Sequence, residues 1–184
     1  AHQVFKKWVG GLWWAPNNLQ RASLSPEYTK GLYVPYWTFD AQLVSSYSGQ
    51  RGDYYYVTVT RGSGKNKRTS RERRTDWSSV SGNVSGFVDD TLVRATNNKS
   101  IQIPVAIARW KLEDLKTFDT SYLAGYVTEK YTIPLKDGHL TATDKAEDIA
   151  KNWIRRDIGG DEQRISDMDM KLSEETFKHI LLPL

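Results

Sequence analysis

No cysteine occurs in the 184 residues. That excludes disulfides, zinc–thiolate centres and thiol nucleophiles within the chain, and it fits a reducing compartment. Histidine is nearly as scarce. His2, His139 and His179 fall at a terminus, in a turn and in a strand, and no Ser–His–Asp grouping can be assembled from them. No apolar run reaches the roughly 18 residues that a membrane helix needs, so no transmembrane segment is expected. There is no signal-peptide pattern. The chain opens at Ala1 without Met and stops in the apolar run Ile180–Leu184, so both ends read as cut from a longer protein.

Aromatic residues are plentiful, with 7 Trp, 10 Tyr and 5 Phe. Hydrophobic residues at 39% and charged residues at 26% mark a globular chain rather than a disordered one. The formal charge of +4 is a mild excess that a soluble protein carries without a polyanionic partner.

The chain is organised around Gly31–Tyr56. Tyr33, Pro35, Trp37, Phe39, Ala41, Leu43 and Tyr47 place apolar groups on one face at a period of two. Leu32, Val34 and Tyr36 make the start of the other face apolar as well, so the first half is expected to be covered on both sides. Ser48–Asp53 reads as a turn, and Tyr54–Arg61 as the return strand. The tripeptide Arg51-Gly52-Asp53 is expected there for backbone reasons rather than adhesion.

Before this stretch, Val4–Trp14 has helical spacing and residues 1–23 read as an N-terminal helical arm. After it, Gly62–Lys67 is a second turn. It is not a phosphate loop, because Asn66 follows Lys65 where Ser or Thr is required. Arg68–Trp77 reads as a third strand and Ser79–Val88 as a twisted or bulged one. Asp89-Asp90 reads as a turn or helix cap, with no third carboxylate at ligand spacing. Trp110–Leu115 reads as a helical turn, and Tyr122–Leu135 as a strand. The clearest helix is Thr141–Ile158. Ala146, Ile149, Ala150, Trp153 and Ile154 share one face, Thr143 or Asp144 is the candidate cap, and Gly159-Gly160 is the stop. Asp161–Lys171 and Thr176–Leu184 read as strands separated by a turn at Ser173–Glu175. Leu181–Leu184 echoes Leu32–Pro35, which predicts that residues near Pro35 and Pro183 are neighbours in the sheet.

The expected fold is thus a single α+β domain over 1–184. It has a mainly antiparallel sheet with long hairpins, one N-terminal helix, and one helix in the C-terminal half packed on the sheet. No catalytic or metal site is predicted. One group of residues suggests a ligand. Arg61, Lys65, Lys67, Arg68, Arg71, Arg73 and Arg74, beside Trp77 and Tyr54–Tyr56, make a basic hairpin end that can hold a nucleic-acid backbone and stack bases. The bland reading is a solvated hairpin whose charges keep its edge from pairing with other chains.

Several motifs occur together in one order: Val34–Ala41, Arg51–Tyr55, Ser81-Gly82 with Asp89-Asp90, Tyr122–Tyr126, Arg155–Arg164 and Thr176–His179. In these the chain resembles the region after the zinc ribbon in bacterial zinc-ribbon proteins labelled as like the primosomal protein N' (replication factor Y) helicase. The resemblance implies a zinc ribbon upstream of this region and none within it. It also implies a link to membrane-stress proteins of the phage-shock and flotillin type. The chain carries neither ribbon cysteines nor a helicase motif. Together these readings predict a non-enzymatic binding or scaffold domain of a larger bacterial protein. It would lie in the cytoplasm, at the inner face of the membrane, with a protein partner. The alternative is a nucleic-acid-binding accessory domain in replication.

Overall fold

A computed structural model describes residues 31–101, 103 and 110–184, with Lys7, Gly10 and Gly11 and without the Lys65 side chain. The expected arm over 1–23 lies outside the described residues, save those three positions. The fold is α+β, with a mainly antiparallel four-stranded sheet and one long helix. Strand β1 runs Leu32–Arg61, β2 Arg68–Arg94, β3 Val127–Thr128 and β4 Glu162–Pro183, and helix α1 runs Leu135–Ile158. The spatial order is β2-β1-β3, with β4 also paired to β1.

The chain divides into two units. One holds Thr38–Leu92 and His139–Lys178, the other Ala1–Trp37, Val93–Gly138 and His179–Leu184. In the first, alanines and branched residues of α1 meet the sheet. Leu43, Val88, Ala146 and Ala150 form one buried cluster with Trp153, Met168 and Met170 against it. Tyr47, Ile154 and Ile158 form another with Val80, Val84 and Ile165. The predicted contact face of the helix, Ile149, Trp153 and Ile154, is the one that packs on the sheet.

In the second unit, the start of β1 lies between β3 and the end of β4. Leu32↔Val127 and Tyr33↔Thr128 pair in parallel. On the other side Leu32 and Leu184 exchange both backbone hydrogen bonds, at 3.1 and 2.8 Å. That reciprocal pair is the antiparallel signature, and it sets the Pro183 end of β4 beside the Pro35 end of β1, as predicted.

The strands run on through several positions where turns are expected. Ser48–Asp53 is no turn, since β1 runs straight through it. Its glycines serve close packing instead: a Cβ at Gly49 would lie 2.3 Å from the Arg164 carbonyl oxygen, and one at Gly52 2.7 Å from Thr75. Likewise Arg68–Trp77, Ser79–Val88 and Asp89-Asp90 belong to one strand, β2. The turn expected at Ser173–Glu175 is also inside a strand, β4. Asp90 (φ 48°) and Glu174 (φ 52°) take left-handed backbone without ending their strands, which is how a local irregularity passes for a turn.

Two other expectations change. Tyr122–Leu135 is not a strand. Thr120–Leu123 is a 3-10 turn, and the only strand there is Val127–Thr128. The helix begins at Leu135, directly after Pro134, rather than near Asp144. The Thr143 hydroxyl donates to the His139 carbonyl at 3.0 Å, which marks it as helix interior rather than cap. The stop is where the sequence places it: Gly159 and Gly160 have φ of 64° and 73°, and the Gln163 amide donates to both carbonyls.

Candidate functional site

A cleft of about 550 Å³ opens in the second unit. Tyr33 of β1 and His179–Leu181 and Pro183 of β4 form one wall, and Asp114, Leu115, Lys116, Phe118, Tyr122 and Leu123 the other. The second wall is built on two 3-10 turns, Leu112–Asp114 and Thr120–Leu123. The Asp119 carboxylate accepts from the Ser121 amide at 2.8 Å and caps the second turn. The Trp110 indole N–H donates to the Pro183 carbonyl at 2.9 Å, which fixes the chain before the first turn to the end of β4.

His179 stands in an aromatic setting, 4.8 Å from the Trp37 ring centroid and 5.4 Å from that of Tyr131. The residue is exposed overall, but desolvation of the imidazole holds it below the ordinary histidine range, so the ring is neutral at neutral pH. It can donate one hydrogen bond and accept one. Apolar walls, a few convergent polar groups and this volume are the ordinary make-up of a small-ligand site. Among the described lining residues there is no serine, threonine or cysteine to act as nucleophile. Sequence reasoning missed the cleft because its walls come from residues distant in sequence. The signal present was aromatic density around Tyr122–Tyr131 that strand alternation does not explain.

The predicted basic residues do come to one hairpin end, but on two faces. On one, Arg61 and Arg74 share Glu72, at 2.6 and 4.0 Å. On the other, Arg71 lies over the Tyr56 ring at 5.6 Å and Arg73 over Tyr54 at 4.2 Å. Trp77 joins this second face under Arg164 of β4, at 3.7 Å. The Tyr54 hydroxyl donates to Glu162 at 2.7 Å. Lys67 and Arg68 are exposed near the tip, while the Lys65 side chain is outside the description. Arg164 has no local sequence signal, because pairing of β4 with β1 brings it here.

Asp89 and Asp90 do have a third carboxylate nearby, contrary to the expectation: Asp40 of β1, with ligand oxygens within 4.8 Å of one another. Protein donors already engage the Asp40 member of this group. Asp40 Oδ1 accepts from the Asp90 amide at 2.8 Å, and Oδ2 accepts from the Thr176 hydroxyl at 3.0 Å and from Lys178 at 3.4 Å. Burial pushes the Asp40 carboxyl up, but these donors outweigh it and hold it below the usual range. Burial raises Asp90, helped by the charges of Asp89 and Asp40.

Over 193 aligned residues the chain is 23% identical to the uncharacterized protein YdjG of Bacillus subtilis (strain 168). The alignment takes in all of this chain and 52% of the relative, so the chain spans about half the length of the curated protein it matches. No protein-family model matches the chain. No solved structure matches it. No helix among the described residues is long and apolar enough to cross a membrane.

Proposed function

We propose that the chain is a non-enzymatic binding domain of a larger bacterial zinc-ribbon protein, acting in the cytoplasm at the inner face of the membrane. Its binding site is the cleft between Tyr33, Leu181 and the Phe118–Leu123 segment. The cleft itself carries the binding reading: a largely apolar, aromatic concavity of about 550 Å³ with a neutral imidazole at its wall. Similarity to about half of a longer Bacillus subtilis protein supports the place in a larger chain. The resemblance of its ordered motifs to those of zinc-ribbon proteins supports the family and the membrane-side setting.

A titration with the apolar dye anilinonaphthalene sulfonate tests the site. The folded wild type should bind it with a blue-shifted emission. Leu123→Trp, which fills the cleft, should lose most of that emission while keeping the wild-type circular dichroism. Equal dye binding by both proteins would place the apolar site elsewhere and overturn the assignment.

A further inference from the structure

We infer that the second face of the β1–β2 hairpin, bearing Arg71, Arg73 and Arg164 against Tyr56, Tyr54 and Trp77, binds single-stranded nucleic acid. This surface lies outside the cleft and stands whether or not the cleft takes a ligand. Charge is the first argument. Residues 61–77 hold seven Lys and Arg against two acids, a local excess greater than the +4 of the whole chain. The acids on the hairpin do little to cancel this face. Glu72 is held by Arg61 and Arg74 on the other face, and Asp76 alternates with Thr75 and Trp77 onto that other face too. Glu162, which accepts from the Tyr54 hydroxyl, and Asp161, which accepts from the Tyr54 amide, keep their charge beside this face, so its three arginines stand against two acids.

Geometry is the second argument. Arg71 and Arg73 alternate onto one face of β2, so they recur at about 7 Å along the strand. Each guanidinium lies over a ring, and so does that of Arg164. A guanidinium resting on a ring has lost part of its freedom already, which lowers the entropy cost of gripping a phosphate. None of these three arginines makes an ion pair among the described residues. Arginine charge interleaved with aromatic rings is the chemistry of single-strand binding, in which phosphates track the cations and splayed bases meet flat surfaces. A duplex keeps its base faces stacked inside, and a lipid headgroup layer offers no flat partner for the rings.

Fluorescence anisotropy with labelled oligothymidylate tests this. The wild type should bind, with log K falling against log salt at a slope of roughly −2 if three phosphates are contacted. The double variant Arg71→Gln, Arg73→Gln should weaken binding at least about tenfold and flatten the slope, since each lost phosphate contact removes about 0.7 from it. Arg155→Gln with Arg156→Gln on α1, the same charge change elsewhere, should leave binding near the wild-type value. Absence of binding at low salt would overturn the inference. So would equal losses in the two double variants, or capture by phosphatidylglycerol vesicles without oligothymidylate binding.

Discussion

The Trp37 indole N–H donates to the Ile133 carbonyl at 2.9 Å, and the same ring fills the space a side chain at Gly138 would need. A Cβ there would lie 2.7 Å from Trp37 Cδ1. Trp37 is buried and tied at its nitrogen, so it has little room to yield. Gly138→Ala therefore sets two effects against each other. Alanine gains about 1 kcal/mol of helix propensity, while overpacking costs about 1–3 kcal/mol. The expected outcome is net destabilisation, read as a lower denaturant midpoint. An exposed helical position would give the opposite sign.

Tyr47 donates its hydroxyl to Asp157 at 2.6 Å. Burial, then the hydrogen bond and the Asp157 charge, push its pKa up to about 12 from 10.0. A raised folded-state pKa means that the contribution is whole below pH 10 and disappears as pH climbs toward 12. Tyr47→Phe should cost about 1–2 kcal/mol at neutral pH. It should also remove part of the stability loss seen between those two pH values in urea titrations.

Asp40 and Asp90 pull in opposite directions. The lowered Asp40 carboxyl stabilises the fold above its ordinary range and loses that contribution as pH falls through its folded value. Asp90 is raised, so its ionised form opposes folding, and acid relieves it. Asp90→Asn should stabilise the protein at neutral pH by up to about 1 kcal/mol, the scale of a partly exposed charge interaction. Asparagine also tolerates the left-handed backbone at this position. The gain should shrink toward pH 3. Destabilisation at neutral pH would mean that the Asp90 carboxylate has a partner in solution that offsets its repulsion.

His179 gives a third pH signature. Its folded-state value lies below the ordinary 6.5, so the unfolded chain takes up its proton first. Stability from this group is whole above pH 6.5 and falls as pH drops below it. Urea midpoints measured from pH 8 to pH 5 should decline in the wild type, and His179→Gln should flatten part of that decline.

The buried half of β1 was legible because alternation survives packing. Trp37, Phe39, Ala41, Leu43 and Tyr47 are all buried as their period predicts. The apolar start of both faces announced two-sided cover, and Val34 to Ala41 are buried without a break. Glycine misled the reading at Gly49 and Gly52, where it admits a neighbouring strand or ring rather than bending the chain. The early start of α1 was hidden by Gly138, kept for the Trp37 contact. Of the candidate surfaces, the basic hairpin was visible as a local run of charge. The cleft and the Asp40 cluster depend on pairings between β1 and distant segments, which no local spacing encodes.

The assignment of the cleft as a ligand site is most directly tested by methyl-resolved NMR during titration with anilinonaphthalene sulfonate. Methyl signals of Leu115, Leu123, Ile180 and Leu181 should shift together and saturate, while those of buried Leu43 and Ile154 should stay in place. Shifts spread over Leu43 and Ile154, or cleft methyls that do not respond, would contradict it.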